Sequence, residues 1–106
     1  MVKRVLTGAG FVEDITFKET RFLKPPQTTY AVFMDSFTRR GADGLNLIKD
    51  HTYTIELYSY KPDPDAEARI EAKLDEYAIE YEKEDRYWIH EEQLFQTVYT
   101  FNHIEK

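Results

Sequence analysis

Cysteine is absent from the 106 residues, and glycine and proline occur four times each. The first absence excludes disulfides, thiolate metal sites and a cysteine nucleophile. The scarcity of glycine and proline leaves no flexible or Pro-rich linker to mark a domain boundary, and no internal repeat or low-complexity tract interrupts the chain. Long apolar runs are missing too. None approaches the roughly 18 to 20 residues of a membrane helix, and the stretch from Met1 to Gly8 is too short and too charged for a secretory signal. The expectation is a chain without a membrane partner that stays in the compartment where it is made.

Chemical motifs are equally scarce. Neither a phosphate loop, a G-x-G-x-x-G run nor a G-x-S-x-G elbow is present, and Gly8-Ala9-Gly10 precedes an expected strand instead of opening a helix after one. His51, His90 and His103 are scattered without metal-ligand spacing. His90-Glu91-Glu92 pairs an imidazole with carboxylates, but consecutive side chains point in different directions on a helix or a strand. A solvated turn is the reading there. No enzyme activity, cofactor or metal is expected.

What is present is a globular composition, 42% apolar and 15% aromatic, of a length that fits one domain with one core between two layers. The 20 acidic residues outnumber the 14 basic ones, which argues against duplex binding by phosphate neutralisation. They are also unevenly placed. Residues 1–50 carry a net charge of +2 and residues 51–106 a net charge of -8. If the halves map to different surfaces, identical copies can meet head to tail. The plainer alternative is that the acidic surplus keeps a small domain soluble.

Local patterns place the elements. Val2 to Leu6 suits a helix of at most two turns before Gly8 and Gly10. Phe11 to Phe17 has strand-favouring types, and Lys24-Pro25-Pro26 forces an extended connection. Thr28 to Thr38 and His51 to Tyr60 read as the arms of a long hairpin, joined by a loop from Arg39 to Gly44. In the second arm Tyr53, Ile55 and Leu57 alternate with Thr52, Thr54, Glu56 and Tyr58. Asp63 and Pro64 then offer a cap and first residue for the one long helix, with an apolar stripe at Ala66, Ile70, Leu74 and Tyr77. Glu67, Glu71 and Asp75 read as an opposed acidic row. Ile79 to Lys83 alternates as a further strand, residues 87–93 are ambiguous, and Leu94 to Ile104 closes the chain as a long strand.

The expected fold is α+β: a mixed, largely antiparallel sheet of about five strands, with one long helix and a short N-terminal helix packed on one face. Both faces of the Tyr30 and Leu94 strands are partly apolar, and one long helix cannot cover both. Either the sheet curls on itself or its second face, through Tyr30, Val32, Tyr58 and Tyr99, meets other subunits.

The order of Thr29-Tyr30-Ala31-Val32-Phe33-Met34, the loop Ala42-Asp43-Gly44, Ile55-Glu56-Leu57-Tyr58, the acidic helix from Asp65 to Asp75, Ile79 to Lys83 and the closing Glu92 to Tyr99 resembles the small tail-completion, or tail-terminator, proteins of long-tailed bacteriophages and prophages. Order and spacing carry the resemblance, and the short N-terminal segment departs from the fuller helix of commoner members. The resemblance implies a structural virion protein at the head-proximal end of the tail, assembled in the bacterial host cytoplasm. There a homo-oligomeric, hexameric ring would cap the major tail tube protein, stop tube growth and dock the head-tail connector proteins, while DNA passes through without specific binding. In that setting Arg39, Arg40 and Asp43 become candidates for a subunit or tube contact, and Glu67, Glu71 and Asp75 for an anionic channel wall. Other neck rings of similar size, with head-closure or adaptor roles, and a small cytosolic protein-binding domain are the alternatives.

Overall fold

The computed structural model describes residues 1–40 and 48–105, and the side chains of residues 1–36 and 51–102. Its elements are α1 (Val2–Gly8), β1 (Phe17–Glu19), β2 (Tyr30–Arg40), β3 (Ile48–Ser59), α2 (Pro64–Glu76), β4 (Tyr81–Lys83), β5 (Tyr87–Ile89) and β6 (Leu94–Glu105). This is the expected α+β class. Six strands form one sheet in the order β1-β2-β3-β6-β4, with β5 also on β6, and only the β1–β2 pair is parallel.

Three long strands form the frame. Tyr30 pairs with Tyr58, and Tyr58 with Gln96, so β2, β3 and β6 run side by side over most of their length. Side chains alternate across this frame. Ala31, Phe33, Tyr53, Ile55, Leu57, Tyr99 and Phe101 fall on one face, where Val2, Val5 and Leu6 of α1 and Ala66, Ile70 and Leu74 of α2 cover them. Each large apolar side chain buried there contributes roughly 1.5–3 kcal/mol. Both helices therefore lie on the same face.

The start of α2 is fixed by its sequence. Asp63 Oδ1 accepts a hydrogen bond from Ala66 N at 3.0 Å, and Thr29 Oγ1 donates to Asp63 Oδ2 at 2.7 Å. The cap thus also ties the helix to the entry of β2. Pro64 sets the first helical φ, and Asp65 and Glu67 lie at the positive end of the helix dipole. Where α1 ends against α2, a Cβ on Gly8 would stand 2.7 Å from Lys73 Cε, so glycine lets the lysine stem pass.

Two expectations need correction here. Phe11 to Phe17 does not form a strand: Val12 O accepts from Ile15 N, Thr16 N and Phe17 N, Asp14 adopts φ 64°, and pairing begins at Phe17. The Thr16 hydroxyl accepts from Val12 N and closes this turn at 2.7 Å. A side chain that bonds locally has outcompeted strand propensity. The hairpin also reaches further toward its tip than expected: β2 starts two residues later, at Tyr30, and continues through Arg40, and β3 already begins at Ile48. Arg39 and Arg40 end a strand instead of opening a loop, and Asp43 lies outside the described residues.

Candidate functional site

The acidic row is not an opposed, solvated face. Successive residues on an α-helix are 100° apart, so Glu67 and Glu71 flank the stripe of Ala66 and Ile70 and lean onto the sheet. Ala68 and Ala72 face outward instead. Glu67 is buried at 6% exposure. Its Oε2 accepts from Arg86 Nε at 2.8 Å and from Thr97 Oγ1 at 3.1 Å, and its Oε1 from Lys83 Nζ at 3.1 Å. Lys83 also reaches Glu71 Oε2 at 2.8 Å, and the Tyr99 hydroxyl donates to the same oxygen at 2.8 Å. Burial pushes the Glu67 carboxyl pKa up, but the hydrogen bonds from Arg86, Lys83 and Thr97 outweigh it and hold the group below its ordinary value. Of the three acids, Asp75 is the one left exposed. Two of the three proposed channel carboxylates are therefore already neutralised by the chain's own cations.

Tyr99 also belongs here. It was expected on the face that meets other subunits, with Tyr30, Val32 and Tyr58, but it is fully buried under α2. The alternation along β6 places Tyr99 in phase with Thr97 and Phe101, and the register sets it opposite Ile55. Burial, then its hydrogen bond to Glu71, drives its hydroxyl pKa far up.

The second face is covered at one end. Tyr30, Val32 and Leu94 are buried there, and the segment from 20 to 29 crosses beneath them with Phe22 packed against the cluster. Tyr30 and Tyr58 stack at 5.2 Å between ring centroids, and Phe22 meets Tyr30 edge-on at 5.6 Å. The Tyr58 hydroxyl donates to Glu56 Oε1 and accepts from Gln96 Nε2, both at 2.9 Å. These rings, with Tyr60, Glu56 and Glu92, line an open groove of about 620 Å³, and Arg21 stands on its loop side. Glu92 makes no hydrogen bond or ion pair with a described residue. Its charge still acts: burial first, then Glu92 and Tyr60, push the Tyr30 hydroxyl up to about 12. Sequence reasoning found Tyr30, Val32 and Tyr58 through their alternation, but missed Phe22, Tyr60 and Glu92, which arrive from loops with no periodicity.

Beyond this groove the face is mixed, with Met34, Thr54, Val98 and Thr100 half-buried and Thr52 and Asn102 exposed. The sheet then outruns the helices. β1 pairs with β2 at residues 31–33, and β4 and β5 pair with β6 no further than Phe101. Past those points β2, β3 and β6 continue as a three-stranded arm whose outer edges have no partner strand among the described residues.

The histidines do not converge. His51 Nδ1 lies 2.8 Å from Asp35 Oδ1 at the base of the arm, His90 sits in an exposed turn, and the side chain of His103 is outside the described residues. Of His90-Glu91-Glu92, Glu92 alone lines the groove. Among the described residues, no three His, Asp or Glu side chains are grouped to hold a metal ion. The groove offers the rings of Phe22, Tyr58 and Tyr60 and charges of both signs, Glu56 and Glu92 against Arg21. No family model matches the chain, and no curated protein matches it.

Proposed function

We propose that the chain is a structural protein of a long-tailed bacteriophage virion, one that caps the head-proximal end of the tail tube as a homo-oligomeric ring, stops tube growth and docks the head connector. The reading starts from the resemblance in segment order. The single observation that supports it is the uneven coverage of the sheet: helices on one face, a half-covered second face, and an arm whose outer edges have no partner strand among the described residues. Such edges are a liability for an isolated domain and are blunted when neighbours cover them. A ring supplies those neighbours by repeating one heterologous contact until it closes.

The test is electron microscopy of the protein mixed with purified tail tubes, alongside its mass in solution. A ring of density at one end of each tube is the expected result. Binding to the connector and not to the tube would move the assignment to a head-closure or adaptor ring. Failure to bind either, with a stable monomer in solution, would overturn the reading in favour of a small protein-binding domain.

A further inference from the structure

We infer that residues 21–28 form a hinged strap, a cover that lifts from the second face of the sheet while the rest of the fold stays intact and, in lifting, uncovers the cluster of Tyr30, Val32 and Leu94. The inference concerns the free chain and does not rest on the ring reading.

The strap is fastened at its ends and held loosely between them. Thr20 N donates to Phe33 O at 2.8 Å, and Thr29 Oγ1 donates to Asp63 Oδ2 at 2.7 Å. From Phe22 to Thr29 no backbone group bonds to another backbone group among the described residues. The attachments there are the Phe22 ring, edge-on to Tyr30 at 5.6 Å, and Pro26 O, which accepts from the Tyr60 hydroxyl at 3.3 Å. No residue from 21 to 29 is buried, and Leu23 is 82% exposed. Segments with so few buried contacts open at a far smaller free energy than the core. Yet the strap is what covers the cluster: Tyr30, Val32 and Leu94 are buried beneath it, whereas Met34 and Val98, on the same face beyond it, are half-buried.

The hinge is strained. Arg21 N donates to Glu19 O at 2.9 Å across Thr20, whose φ is 71°. A three-residue turn with positive φ at its centre is the rare, strained form of the γ-turn, and a β-branched residue is ill suited to it. Such strain persists only where the surroundings enforce it. Here closure enforces it, because the chain turns sharply at Thr20 to carry Phe22 onto Tyr30, and lifting lets Thr20 relax. Lys24-Pro25-Pro26 is held extended by its prolines, so the middle of the strap moves as one piece between Thr20 and Gln27.

Because the chain has no cysteine, thiol labelling reads the opening. Val32→Cys and Leu94→Cys lie beneath the strap, two reporters in case one substitution unfolds the protein, and Ala31→Cys, the neighbour of Val32 on β2, lies on the helix-covered face. The strap-side thiols are expected to react with a soluble disulfide reagent at least about 100-fold faster than Ala31→Cys, at rates that dilute urea leaves flat, since a local opening exposes little surface. In the strap-side backgrounds Phe22→Ala should accelerate labelling about tenfold by removing the ring contact. Thr20→Gly should slow it about threefold, because glycine adopts the turn without strain. All three thiols reacting at one slow rate that climbs with urea would overturn the strap, as would an equal acceleration of Ala31→Cys by Phe22→Ala. Fast strap-side labelling that Thr20→Gly fails to slow would overturn the hinge at Thr20.

Discussion

Arg86 stands under Glu67, its Nε 2.8 Å from Glu67 Oε2, because the register of the edge strand slips by one residue between β4 and β5. Tyr81 and Lys83 pair with Phe101 and Tyr99, whereas Tyr87 and Ile89 pair with Gln96 and Leu94. Continued without the slip, the β4 register would bring Asp85 opposite Thr97 and next to the buried Glu67 carboxylate. The extra residue replaces that anion with a cation. Bulges on edge strands commonly re-aim a side chain in this way, and here the result closes a cluster of two carboxylates, two cations, a hydroxyl and a phenol around α2.

Removing Glu67 should therefore cost more than an ordinary surface change. Glu67→Ala is expected to lower stability by about 3 kcal/mol, since it leaves Lys83, Arg86 and Thr97 without their shared acceptor. Arg86→Ala should cost less, because Lys83 still neutralises the carboxylate, and Arg86→Asp more than Arg86→Ala. Urea unfolding of the three variants gives this order directly.

Deleting Asp85 is the sharper test of the bulge. The deletion would make β4 and β5 one continuous strand and still deliver Arg86 opposite Thr97, so the protein should fold with a change within about 1 kcal/mol. A loss as large as that of Glu67→Ala would show that residues 84–86 contribute something beyond the change of register.

Acid should weaken the same cluster. The folded Glu67 carboxyl lies below its ordinary 4.5, so the unfolded chain takes up its proton first as pH falls. Its contribution is fully present above that value and is lost as pH drops through the lower folded value. Asp63, lowered chiefly by the hydrogen bond from Thr29, behaves in the same sense below its ordinary 3.8. Thermal melts of wild type and Glu67→Gln between pH 7 and pH 3 should converge as pH falls. A constant gap would mean that the carboxylate's charge is not what stabilises the cluster.

Much of the frame was legible in the sequence because its signals are local. The Asp63-Pro64 start of α2 and the alternation of Tyr53, Ile55 and Leu57 depend on neighbouring residues alone, and both appear where expected. The acidic row lies one helical step from its expected place: Glu67 is 100° from Ala66, close enough to flank the core stripe, and the cations that let it bury are 16 and 19 residues further on. Tyr99 differs from its expected face because the alternation of its own strand sets it with Thr97 and Phe101, away from Tyr30, Val32 and Tyr58. The groove was half-visible for a different reason. Its floor is periodic strand, but Phe22, Tyr60 and Glu92 come from connections whose path no periodicity encodes.

The cap of α2 gives a smaller, separable effect. Asp63→Ala removes both the hydrogen bond to Ala66 N and the tie to Thr29, and is expected to cost about 1–2 kcal/mol. Thr29→Val breaks only the tie and should cost less, a difference readable from paired denaturation curves.

Tyr30 reports on the groove without any partner present. Its hydroxyl is raised from 10.0 to about 12 by burial first and by Glu92 second. The neutral phenol is thus favoured by the fold, and its share of stability, full below pH 10, is lost as pH rises through the folded value. Glu92→Gln should lower the Tyr30 value without restoring 10.0, because the larger cause, burial, is untouched. Carbon-13 labelling of the tyrosine ζ positions separates Tyr30 from the other seven tyrosines during an alkaline titration. No movement of Tyr30 in Glu92→Gln would mean that the carboxylate does not reach into the groove.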